Sequence, residues 1–110
     1  IKTRALSYAT VSNGIAITTC EQERSDAQLL CAQIADKLLT IKGVQAAFAV
    51  GKNTEGMTVI SARSLGEINV QTIMEKFGGG GHLTTAAAQI TDSIEIAVNK
   101  IMVMMEVNSK

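Results

Sequence analysis

Proline and tryptophan are absent from the 110 residues, and the aromatic side chains are Tyr8, Phe48 and Phe77. With so few rings, aliphatic side chains and alanines must fill the core, and the clusters at 46–47, 49 and 86–88 call for elements that approach closely. The scattered rings form no stacking series of the kind that holds single strands. A dominant charge is missing too: 10 Lys and Arg balance 10 Asp and Glu, so no broad basic surface exists to neutralise duplex nucleic acid. His82 is the single histidine and there is no Cys-x-x-Cys, which excludes a self-contained zinc site of usual composition. Cys20 and Cys31 cannot supply a dense disulfide framework, and a reducing compartment is the simpler setting. A bridge is conceivable with Cys20 at a strand end and Cys31 on the next helix, but the expectation is two free thiols packing as small hydrophobes. The start at Ile1 has no signal-like pattern and reads as an excised piece. The apolar stretch 101–105 falls far short of the roughly 20 residues a spanning helix needs, so a cytosol-type domain is expected.

What is present is a chain that can bury much of itself, 46% hydrophobic and 18% charged, of a length that suits one domain. Residues 6–11 and 15–19 are β-compatible and separated by Ser12-Asn13-Gly14, a hairpin signal. Ser25 and Gln28 fit a capping box ahead of a helix over 26–39, and Gly43 stops it. Strands follow over 44–50 and 57–63, joined across 51–56. Alternation puts Met57, Val59, Ser61 and Arg63 on one face and Thr58, Ile60 and Ala62 on the other. Asn69 can cap a helix over 70–77 that Gly78 ends, and 83–90 reads as a packed turn with a final strand near 88–90. A terminal helix over 93–107 completes an α/β chain: a single small domain with a mixed β-sheet flanked by helices.

The most distinctive segment is Gly78-Gly79-Gly80-Gly81-His82. Glycines let backbone N–H groups approach a phosphate, and the His82 ring can donate a hydrogen bond to one. The competing reading is a structural turn with a satisfied histidine. Arg63 offers a planar fork suited to phosphate, or else an ion pair. Ser61 can add a hydroxyl contact if its strand face is open, Ser64 can bind local backbone, and Asn69 reads more readily as a helix cap than as a ligand contact. The glycines match neither the P-loop spacing nor the dinucleotide fingerprint, so ATP hydrolysis is not expected. A small phosphorylated ligand is favoured over DNA coating.

The run Ile60-Ser61-Ala62-Arg63-Ser64-Leu65-Gly66-Glu67-Ile68-Asn69-Val70, with Ile73-Met74-Glu75 and the Gly78–His82 block before Ala86-Ala87, resembles the DHH-associated C-terminal domain of DHH-family phosphodiesterases. The resemblance covers essentially the whole chain and is nearest to the bacterial membrane-associated branch that hydrolyses cyclic di-AMP to pApA. It implies that Gly79, Gly80, Gly81 and His82 contact phosphate or nucleotide and that Arg63 helps place it; Ser61 and Asn69, from their own chemistry, are added as candidates for the same substrate site. It also implies a separate DHH domain in the parent chain carrying two manganese ions. The DHH motif is absent here, so the chain alone is expected to be inactive, a cytoplasmic domain of a parent anchored in the bacterial cell membrane. The substrate implied is a cyclic dinucleotide. The alternatives are the equivalent domain of a ribonuclease or exonuclease acting on short linear oligonucleotides, and a structural module that forms a homodimer.

Overall fold

In the computed structural model, which describes residues 10–12 and 14–108, the alternating segments join in one sheet with helices on both faces. The strands are β1 (Thr10–Ser12), β2 (Ile15–Glu23), β3 (Ala46–Lys52), β4 (Thr58–Ser64), β5 (Gly80–Gly81) and β6 (Thr85–Ile90). The helices are α1 (Ala27–Leu39), α2 (Val70–Glu75) and α3 (Ile94–Asn108). The sheet order is β1-β2-β3-β4-β6-β5. β2 and β3 are parallel, which requires a crossover that α1 supplies, and the other neighbours are antiparallel. The fold is the mixed α/β sheet expected.

Alternation along the central strands divides the core in two. Phe48, Val50, Ile60 and Ala62 face α2 and α3, meeting Val70, Ile73, Met74, Ala97 and Ile101. Ala47, Ala49 and Val59 face the other way, against Ala27, Cys31, Ala35 and Leu38 of α1. The residues under α1 are small, so this helix sits close to the sheet. At Gly51 a Cβ would come within 2.8 Å of the Cys31 sulfur, too near for any side chain to fit without displacement. Phe48 is fully buried at the centre of the α2/α3 side.

Several boundaries differ from expectation, each for a physical reason. Residues 6–9 of the first predicted strand, and Asn13 of its turn, lie outside the described residues. β3 runs on through Gly51-Lys52, and the turn is built instead by Asn53, whose side-chain oxygen accepts from the N–H groups of Glu55 and Met57 at 2.9 and 3.0 Å. The capping box does not form. Asp26 takes the cap position without a side-chain cap bond, its carboxylate accepting instead from Arg24 at 2.7 and 3.0 Å, and the Gln28 amide reaches across to β4 and donates to Ser61 Oγ at 2.9 Å. β6 begins at Thr85 rather than near Ala88, and Gly80–Gly81 add a strand where only a loop was expected. Asn69 does cap α2, accepting from the Thr72 N–H at 3.2 Å.

Candidate functional site

Each of the four consecutive glycines meets a different demand. Gly78, at φ 86°, closes α2 in a conformation that L side chains rarely adopt, and its N–H donates to the Glu75 carbonyl. Gly79 lies against β6, where a Cβ would stand 2.6 Å from the Ala88 Cβ. Gly81, at φ 148°, would bring a Cβ to 2.5 Å from the Ala86 Cα. Gly80 faces open space: nothing lies within 4 Å of the position its Cβ would take. Turn geometry and close strand approach account for three of the glycines, and they leave Gly80 without a reason inside the fold.

Strand register sets the candidates on one sheet face. Arg63 pairs with Thr85, and Thr85 exchanges backbone bonds in both directions with His82. Ser61 pairs with Ala87, and Ala87 with Gly80. Directly opposed residues in antiparallel pairs share a face, so Arg63, Thr85 and His82 form one row and Ser61, Ala87 and Gly80 the next. Both rows lie on the α1 side, with Ser61 and Arg63 held by that helix and Thr85 and His82 exposed beyond it. Two strand spacings separate Arg63 from His82, about 10 Å of backbone, with Thr85 between them and the small Ala87 and the bare Gly80 in the row alongside. Because His82 and Thr85 form a hydrogen-bonded pair, alternation makes Gly80–Ala87 the next such pair and turns the Gly81 N–H out of the sheet edge. The face therefore combines a guanidinium, an exposed imidazole and an exposed Thr85 hydroxyl beside an unobstructed glycine, with the Gly81 N–H at the adjoining sheet edge.

The supports of these groups come from α1. The Arg63 Nε donates to Asp36 Oδ1 at 2.8 Å and its Nη1 to the Ala62 carbonyl at 2.9 Å, which leaves Nη2 without a protein partner among the described residues. Asp36 is 63% exposed and Arg63 16%, so the pair is wetted on one side and weak enough for an anion to compete with. Ser61 is 1% exposed. Its hydroxyl accepts from the Gln28 amide and donates to the Gln28 carbonyl at 3.4 Å, so a ligand contact by Ser61 requires Gln28 to release it. Asn69 is exposed and lies next to the His82–Thr85 turn, since the following Val70 N–H donates to the Leu83 carbonyl at 3.1 Å. Ser64 braces that turn by donating to the Leu83 carbonyl at 3.4 Å while accepting from the Gly66 N–H.

Sequence reasoning passed over Gln28, Asp36 and Thr85. Gln28 carried a local capping signal that masked its long-range partner; Thr85 and Asp36 become relevant only through register and helix placement. A cleft of about 400 Å³ lies elsewhere, lined by Met57, Phe77, Ile90, Lys100 and Met104 among others, and contains none of the candidates. Among the described residues no three His, Cys, Asp or Glu side chains gather where they could hold a metal ion. The donors among the described residues thus form no site for the two manganese ions, which the resemblance assigns to a separate DHH domain. No helix of the described residues is long and apolar enough to cross a membrane.

Comparison with known proteins identifies the family of the chain. The DHHA1 domain family matches residues 13–106. The chain is 55% identical over 80 residues to the cyclic-di-AMP phosphodiesterase GdpP of Geobacillus thermodenitrificans, covering 73% of this chain and 12% of that protein. It is 49% identical over 80 residues to the cyclic-di-AMP phosphodiesterase PdeA of Listeria monocytogenes, with the same 73% and 12% coverage. The chain therefore spans about an eighth of the length of these curated relatives. Among solved structures, an exopolyphosphatase-related protein from Bacteroides fragilis superposes with a TM-score of 0.79 at 24% identity, over 94% of this chain and 32% of that one, a likeness of fold.

Proposed function

This chain belongs to the DHHA1 domain family, and we propose that it is the substrate-positioning, non-catalytic half of a metal-dependent phosphodiesterase that opens cyclic di-AMP to pApA. The observation that carries the reading is the row geometry: Arg63, Thr85 and His82 form one row on a sheet face and an open glycine lies in the row beside them, with Gly80 the glycine the fold itself does not require. In this role Arg63 and His82 engage phosphate oxygens. Gly79, Gly80 and Gly81 bring backbone close to the same group, the outward Gly81 N–H donating. Asn69 contributes its side-chain amide at the rim, and Ser61 joins the site through the hydroxyl now held by Gln28. A catalytic DHH domain in the same parent chain carries two manganese ions, which supply the activated water and stabilise charge on the phosphoryl group. The residues of this chain orient the phosphodiester for that attack and furnish donors that need no reorganisation. The parent is anchored at the bacterial cell membrane with this domain on the cytoplasmic side. A flat face suits such a division, since the ligand is enclosed only when the second domain closes over it.

A substrate panel on the intact parent tests the proposal. Turnover of cyclic di-AMP is expected to exceed that of short linear oligonucleotides, by at least about tenfold in kcat/KM. Preference for the linear oligonucleotides instead would move the domain to the ribonuclease and exonuclease branch.

A further inference from the structure

We propose that Cys20 and Cys31 form a peroxide-oxidisable pair, Cys20 being the sulfur attacked and Cys31 the one that resolves it into an intramolecular disulfide. Neither residue belongs to the phosphate face, so this inference stands independently of the proposed function. Cys20 lies on β2 at the register shift between Thr19 and Glu23, and it is half-buried. Cys31 lies on α1 and is 0% exposed. Both reach over Gly51, where a Cβ would stand 2.8 Å from the Cys31 sulfur and 3.7 Å from the Cys20 Cβ. The missing side chain at Gly51 is what lets a strand cysteine and a helix cysteine converge over the same backbone position.

The pair is asymmetric in the way such chemistry needs. The neighbouring Cys31 thiol lowers the Cys20 pKa to about 7 against the opposing effect of burial, with the nearby Arg24 charge assisting. The Cys31 thiol is pushed up by the neighbouring Cys20 and by burial. Cys20 is thus the more acidic and the more accessible of the two, whereas Cys31 is shielded from solvent.

With hydrogen peroxide as the oxidant, the Cys20 thiolate attacks one peroxide oxygen and the O–O bond breaks. Hydroxide leaves and takes up a proton as water, and Cys20 becomes a sulfenic acid. The Cys31 sulfur then attacks the Cys20 sulfur as its proton departs. The S–O bond breaks, water leaves, and a disulfide remains. The two thiols give up two electrons and one peroxide becomes two waters. The bridge ties β2 to α1, the helix whose Gln28 and Asp36 hold Ser61 and Arg63.

The test uses the unaltered 110-residue chain, reduced, exposed at neutral pH to equimolar hydrogen peroxide, capped with N-ethylmaleimide and digested with trypsin. Cleavage at Arg24 separates the two cysteines, so a bridge appears as peptide 5–24 linked to peptide 25–37. That linked species, from monomeric protein, is the expected main product. With Cys31→Ser, the expected product is a Cys20 sulfenic acid trapped by dimedone; with Cys20→Ser, oxidation of Cys31 slows by at least about tenfold. Recovery of both thiols capped, of Cys20 sulfinic acid without the linked peptide, or of a dimer bridged between chains would overturn the proposal. The first arm needs no variant, so the result does not depend on how a substitution folds.

Discussion

Replacing Gly80 with alanine is expected to lower kcat/KM of the intact parent for cyclic di-AMP about a hundredfold while leaving this domain slightly more stable. The added methyl enters open space, meets no protein atom within 4 Å, and requires no positive φ. Alanine in place of glycine at such a site restricts the unfolded chain and raises stability by about 0.4–1 kcal/mol. The methyl would stand on the face that carries Ala87 and Ser61, where the proposed phosphate approaches. A displacement of the phosphodiester by about 1 Å suffices for a loss of about 10²-fold. Gly79→Ala is the contrasting variant. Its Cβ falls 2.6 Å from the Ala88 Cβ, so the β5–β6 pairing should be lost and activity and melting temperature should fall together. Thermal melts beside steady-state kinetics separate the two cases; a Gly80→Ala enzyme with full activity would remove the ligand from this face.

Arg63→Ala is expected to reduce turnover by about 10²–10³-fold, the usual scale for removing a fixed donor from a site of developing charge. Arg63→Lys should recover only part of that, because an ammonium keeps the charge and loses the planar fork. Asp36→Ala distinguishes ligand positioning from simple scaffolding. The Arg63–Asp36 pair is open to solvent at the carboxylate and contributes about 0–1 kcal/mol, so its loss should barely change the melting temperature. Turnover should stay within a few-fold of wild type, since Arg63 retains its bond to the Ala62 carbonyl and gains freedom to meet phosphate. Arg63→Ala with full turnover, together with Asp36→Ala losing stability, would make Arg63 a structural residue.

The elements readable from the sequence are those that rest on local signals. Asn69 caps the helix it was expected to cap, because a side-chain oxygen and an N–H three residues on are local partners. The buried stripe Ala97, Ile101 and Met105 on α3 follows from periodicity alone. β5 was not legible: two glycines carry no alternation, and the strand exists because Gly79 and Gly81 let the backbone lie against Ala86 to Ala88. Gln28 was misread for a related reason. A capping pattern is visible within four residues, whereas its partner Ser61 lies in a strand brought near by the crossover. The types of the site residues could be picked out one at a time, but that Arg63 and His82 share a face depends on the β4–β6 register and on the turn that pairs His82 with Thr85.

The central claim is that the Arg63–Gly80–His82 face receives the nucleotide, and hydrogen–deuterium exchange of the intact parent tests it directly, with cyclic di-AMP added in the absence of divalent metal so that no turnover occurs. Slowed exchange in peptides covering 79–86, above all at the outward Gly81 N–H, with little change along α3, is the expected result. Protection confined to α3, or none in this domain while the ligand is bound elsewhere in the parent, would contradict it.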